Sequence, residues 1–90
     1  MNNKEILDLT TEEISEVIKF IVFHLVDDRD AVKIEEVEEG AGRILLRLFV
    51  APEDMGKVIG KQGKIARAIR TVTKALGARS GKKVILEIGD

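Results

Sequence analysis

The chain has no cysteine, no tryptophan, no tyrosine, one histidine, one proline and three phenylalanines. Without cysteine there is neither a disulfide framework nor a thiolate-held zinc. A single histidine excludes a histidine-rich metal site, and the shortage of aromatic rings excludes a platform on which bases stack. No long apolar run is present either. The longest, Val17 to Val26, is broken by Lys19 and His24 and is half the length a bilayer span needs. The start shows no charged n-region, apolar h-region and small-residue cleavage site. A soluble, cytoplasmic protein without membrane contact is therefore expected.

What the chain does have is the composition of one folded domain: 90 residues, 44% apolar and 34% charged. A domain this small buries roughly 60–65% of its unfolded surface, which leaves it marginal or helped by a partner. The net charge of −1 conceals a strong polarity. Residues 1–54 carry six Lys/Arg against fourteen Asp/Glu, whereas residues 55–90 carry nine against two. Such asymmetry points to a half that faces a polyanion, although a dipole that only aids solubility would look the same.

Residues 1–9 lack periodicity and read as a lead-in, so the domain is placed at residues 10–90. Thr10 and Glu13 form a capping box ahead of a helix whose apolar stripe is Ile14, Val17, Ile18, Ile21, Val22 and Leu25. Phe20 and Phe23 fall outside that stripe. The charged segment Asp27–Asp30 ends the helix. Val32–Glu39 reads as a strand, with the step from Ile34 to Val37 suggesting a bulge, and Gly40–Gly42 is a hairpin connection. Arg43–Val50 alternates cleanly, with Ile44, Leu46, Leu48 and Val50 on one face and Arg43, Leu45, Arg47 and Phe49 on the other.

Pro52, Glu53 and Asp54 open a short helix. A longer one is expected from Lys64 to Leu76, with Ile65, Ala68, Ile69, Val72 and Leu76 as its core stripe and Gly77 as its C-terminal cap. After a turn through Ala78–Gly81, Lys82–Ile88 forms the last strand, with Val84, Leu86 and Ile88 inward. The order is α–β–β–α–α–β: an α+β domain, a three-stranded sheet with three helices packed on one face.

Chemistry concentrates in Val58-Ile59-Gly60-Lys61-Gln62-Gly63-Lys64-Ile65. Two glycines three apart, between two helices, allow a tight turn with positive φ and no Cβ to hold a ligand away. Lys61 and Lys64 add cations, the next helix offers unpaired N–H groups, and Gln62 both donates and accepts. A phosphodiester strand across Gly60–Gly63 would meet all of these. A nucleotide P-loop is excluded because its G-x-x-x-x-G-K-[ST] spacing is not met and no strand leads into the segment.

Ile59-Gly60-Lys61-Gln62-Gly63 resembles the I-G-x-x-G signature of a KH domain, and the similarity is most specific from Gly56 to Ile69. A helix before the first strand and a strand at the end resemble the bacterial type II arrangement. Residues 10–89 as a whole are similar to the small stand-alone KH proteins of the KhpA family. The resemblance implies single-stranded RNA held by the loop through about four nucleotides of backbone. It places RNA contacts at Lys57, Ile59, Gly60, Lys61, Gln62, Gly63, Lys64, Arg67 and Arg70. An apolar groove would draw on Val58, Ile59, Ile65 and Ile69, opposed by Leu46 and Leu48, although Ile65 and Ile69 are first of all core positions. Lys74, Arg79, Lys82 and Lys83 are candidates to extend the positive surface. The resemblance further implies a homodimer, or a heterodimer with a Jag-type KH protein. Leu45 and Phe49, on the strand face away from the core, are a candidate interface unless the first helix or the N-terminal tail covers them.

The remaining polar clusters read as structural. Glu35, Glu36, Glu38 and Glu39 form a solvated acidic edge, and Asp27, Asp28 and Asp30 lack the spacing of a calcium loop. His24 has no nucleophile partner, and Ser15, Ser80, Thr71 and Thr73 lack an activating base. No enzymatic activity, cofactor, metal or small-molecule substrate is expected. The expected function is sequence-tolerant RNA binding in chaperoning or post-transcriptional regulation. The competing expectation is a KH-fold dimerisation scaffold acting through a protein partner, with weak RNA contact.

Overall fold

The computed structural model describes residues 8–89; the lead-in before Asp8 lies outside them. Helix α1 spans Thr11–Phe23. Its capping box is formed, with the Glu13 N–H donating to Thr10 Oγ1 at 3.1 Å and the Thr10 N–H to Glu13 Oε1 at 3.0 Å. The Thr10 N–H at the Glu13 carboxylate holds its pKa below the ordinary value. Ile14, Ile18 and Val22 are fully buried. A single-turn 3-10 helix at Arg29–Ala31 then leads into the sheet.

Strands β1 (Lys33–Gly40) and β2 (Arg43–Phe49) form an antiparallel hairpin, and β3 (Lys83–Gly89) pairs parallel to β2. The strand order is β1-β2-β3, so β2 is central and β3 is an edge. Ile44, Leu46 and Leu48 pair with Val84, Leu86 and Ile88 on the face that carries the helices. The bulge expected between Ile34 and Val37 is absent: pairing is regular from Lys33 to Glu38 and shifts only between Glu38 and Gly40. Ile34 pairs with Leu48 and Val37 with Leu45, so the two apolar side chains of β1 serve opposite faces. Leu45 is buried on the outer face, beside its cross-strand neighbours Val37 and Ile85. The expected cover by the N-terminal tail falls on residues outside those described.

A parallel β2–β3 pair requires a crossover. Here it consists of a 3-10 turn at Pro52–Asp54, helix α2 (Met55–Ile59), a second 3-10 turn at Lys61–Gly63 and helix α3 (Lys64–Arg79). Two expectations about α3 are corrected. Its buried residues are Ala66, Ile69, Thr73 and Gly77, whereas Ile65 and Leu76 are half-buried and Ala68 and Val72 exposed. Gly77 is inside the helix rather than capping it; the left-handed residue that ends the segment is Gly81, with φ +71°. The cause is close packing: a Cβ on Gly77 would lie 2.6 Å from Val84 Cγ2. The helix presents its small-residue face to the sheet, and Ile65, Ala68 and Val72 instead line a shallow groove with Ile21 of α1 and Leu25 just after it.

Candidate nucleic-acid interface

Helix α2 ends where Gly60 adopts φ 75° and ψ 172°, a conformation open only to glycine. Ile65 folds back against this residue, and a Cβ there would sit 2.6 Å from Ile65 Cγ1. The chain then makes a tight turn. Gly63 N–H donates to Gly60 O at 3.1 Å, Lys64 N–H donates to Lys61 O, and Gln62 and Gly63 are both left-handed at φ 57° and 74°. Two consecutive positive-φ residues closed by a Lys64-to-Lys61 bond make a type I′ turn. The glycines differ in purpose: Gly60 is required by the side chain packed on it, whereas a Cβ position on Gly63 faces open space. Lys61 and Gln62 are exposed at the tip.

A cationic stripe leads away from the tip. Arg67, Arg70 and Lys74 lie four, seven and eleven residues beyond Gly63, one face of α3. All three are exposed, as is Lys64 in the first turn. The stripe ends at a cleft of about 300 Å³ lined by Arg70, Lys74, Lys83, Val84, Ile85 and Leu86, between α3 and β3, an edge strand among the described residues. The positions expected to line a groove against β2 are largely closed. Val58, Leu46 and Leu48 are fully buried and Ile69 nearly so, because β2 is central and the helices cover its inner face. Ile59 and Ile65 remain half-buried beside the loop.

Lys57 has other commitments. Its Nζ pairs with Asp27 and lies 3.3 Å from Asp54 Oδ1. The bonds to Asp27 and then Asp54 raise its pKa. Asp54 is fully buried and accepts N–H bonds from Asp28 at 3.0 Å and Asp27 at 3.2 Å. Those N–H groups, ahead of Lys57, hold its carboxyl below the ordinary value. The network ties the segment after α1 to the start of α2. Lys82 is likewise structural: its Nζ donates to Leu9 O at 3.1 Å and Ser80 O at 3.4 Å. Lys83 reaches the cleft, while Arg79 is exposed at the far end of α3. His24 Nδ1 lies 2.7 Å from Phe20 O, and its ring rests against that phenylalanine at 4.6 Å.

The charge polarity of the sequence becomes a polarity of shape. The acidic strand β1, with Glu35, Glu36, Glu38 and Glu39, is one edge of the sheet, and the cationic cleft follows the other. Among the described residues, no group of three His, Cys, Asp or Glu side chains is placed to hold a metal ion. No helix among them is long and apolar enough to cross a membrane.

The sequence profile described as "KhpA/KhpB, KH domain" matches residues 15–88. The chain belongs to this KH-domain family. Relatives similar to it carry the name "RNA-binding protein KhpA". One from Caldanaerobacter subterraneus subsp. tengcongensis is 55% identical over 73 residues, covering 81% of this chain and 96% of that protein. One from Aquifex aeolicus is 45% identical over 85 residues, covering 94% and 92%. One from Bacillus subtilis is 46% identical over 82 residues, covering 91% and 100%. The matched KH region contains both the glycine-bounded turn and the β3 cleft. Sequence reasoning missed the cleft's apolar wall of Val84, Ile85 and Leu86; its one visible signal was the basic pair Lys82-Lys83 opening an alternating strand.

Proposed function

We propose that this KH domain binds single-stranded RNA, with the backbone over the Gly60–Gly63 turn and bases entering the cleft along β3. One observation carries this reading: an exposed turn, open at Gly63, is continuous with a cationic stripe that ends in an apolar cleft beside the edge strand β3. Lys61, Lys64, Arg70, Lys74 and Lys83 supply charge for phosphates, and the edge backbone of β3 supplies donors and acceptors for base edges. The acidic β1 edge repels the same polyanion and so orients it. The cleft lining includes no aromatic ring, so contact is aliphatic and electrostatic, which favours tolerance of sequence over tight recognition. We read the role as RNA chaperoning or post-transcriptional regulation in the cytoplasm, by binding rather than by catalysis.

The test is fluorescence anisotropy with labelled RNA of 8–12 nucleotides and matched DNA. About four neutralised phosphates give a log–log salt slope of roughly −3, so affinity is expected to fall about 50-fold between 50 and 200 mM salt. Replacing Lys61 and Gln62 together by Asp is expected to cost roughly 100-fold in affinity at the lower salt. Asp tolerates the left-handed conformation of position 62 well, so the melting temperature should stay nearly unchanged. Normal binding by that variant, or a slope near zero, would refute the backbone-clamp reading.

A second reading, pairing with another KH chain, is favoured by exposed apolar surface: Phe20 is 66%, Val72 39% and Ile85 38% exposed. Substituting all three by serine is expected to lower the mass seen in sedimentation from that of a dimer to that of a monomer. A wild-type monomer would remove this reading.

A further inference from the structure

The turn contains a residue in a conformation that it does not favour. Gln62 is left-handed at φ 57° and ψ 24°, and a residue other than glycine, asparagine or aspartate at the first central position of a type I′ turn is strained. Lys61, which carries the tip cation, immediately precedes it, so relaxation of Gln62 would redirect the tip. One side chain holds it. Arg67, one turn into α3, donates from Nη2 to Gln62 O at 2.7 Å. The carbonyl oxygen of Gln62 is thereby tied to a regular helix, and the orientation of its peptide plane is set by that bond.

We propose that Arg67 is a positioning residue: it locks the left-handed Gln62 and so presents the turn to its ligand, rather than serving as a phosphate contact. The proposal rests on the RNA-binding reading for its affinity arm, but the lock itself is a property of the free protein. It also separates Arg67 from its neighbours on the stripe, since Arg70 and Lys74 line the cleft and Arg67 does not.

Four proteins distinguish the alternatives: wild type, Arg67→Ala, Gln62→Gly and the double variant. Glycine at position 62 removes the strain, so the lock becomes dispensable there. Arg67→Ala is expected to weaken RNA binding about fivefold in the wild-type background and less than twofold in the Gln62→Gly background, with the salt slope unchanged in both. Arg67→Lys, which keeps a donor on a long stem, should recover most of the loss. A phosphate contact would instead lower the slope magnitude by about 0.7 and cost the same in either background, which would overturn the proposal. Without RNA, amide ¹⁵N relaxation should show lower order parameters for Gln62 and Gly63 in Arg67→Ala than in wild type. Unchanged order parameters would also overturn it. If wild type binds no RNA, the function reading fails while the relaxation comparison still decides the lock.

Discussion

Replacing Asp54 with alanine is expected to lower the melting temperature by roughly 15 °C. Asp54 is fully buried, and its carboxylate accepts from the Asp27 and Asp28 N–H groups and from Lys57. Alanine leaves two backbone donors without an acceptor, leaves the Lys57 ammonium with Asp27 alone, and opens a void at the start of α2. Asparagine keeps one acceptor but turns an amide N–H₂ toward a donor, so about half the loss is expected. Lys57→Ala should cost less than either, because the backbone N–H groups are the leading partners of Asp54.

The same carboxylate sets an acid dependence. Its folded pKa is below its unfolded value, so the stability it contributes is present above the unfolded pKa, near 4, and is lost as pH falls through the folded value. Glu13 is shifted in the same direction and adds to the same window. Circular dichroism melts from pH 7 to pH 2 should therefore show a shallower acid decline for Asp54→Asn than for wild type. Parallel curves, or an unchanged melting temperature at pH 7, would remove Asp54 from this role.

Gly77→Ala is expected to lower the melting temperature by about 10 °C, although alanine is the better helix former by about 1 kcal/mol. The new Cβ would meet Val84 at 2.6 Å from Cγ2 and 2.9 Å from Cβ, and the carbonyl of Lys82 at 3.2 Å. Val84 is almost fully buried and anchored in β3, so no flexible end can swing aside. The helix must move off the strand, at the cost typical of overpacking. Val84→Ala removes the closest colliding group, Cγ2, and leaves the Cβ at 2.9 Å. In a double-mutant cycle Gly77→Ala should therefore cost less, though still something, in the Val84→Ala background. A cost that is the same with and without Val84 would show that the contact is not its source. Because α3 and β3 are the walls of the cleft, Gly77→Ala should also weaken RNA binding, without changing the salt slope.

The parts of the molecule set by short-range rules were legible in the sequence. Thr10 and Glu13 cap α1 as their spacing requires, the alternation of Arg43–Val50 makes β2, and the glycines at 60 and 63 take the positive φ that their positions demand. The acid-to-base switch near residue 54 became an acidic and a basic edge of one sheet. The choice among apolar faces was not legible. Helix α3 has a more apolar stripe, Ile65, Ala68, Val72 and Leu76, and beside it a stripe of small residues, Ala66, Thr73 and Gly77, sharing Ile69 as a neighbour. Periodicity favours the first because it is more hydrophobic. The second is the one that brings the helix axis close to the sheet.

The sequence by itself determined the elements, their order, the turn and its charge, because caps, alternation and positive φ depend on residues a few positions apart. Tertiary structure alone decided where the cleft lies, which lysines face it and which are held elsewhere. Those outcomes depend on strand order, which makes β2 central and β3 an edge. They depend equally on contacts across the fold, such as Asp27 to Lys57, Leu9 to Lys82 and Gly77 to Val84. Such contacts are set by the distance between packed elements, and local spacing along the chain carries no measure of that distance.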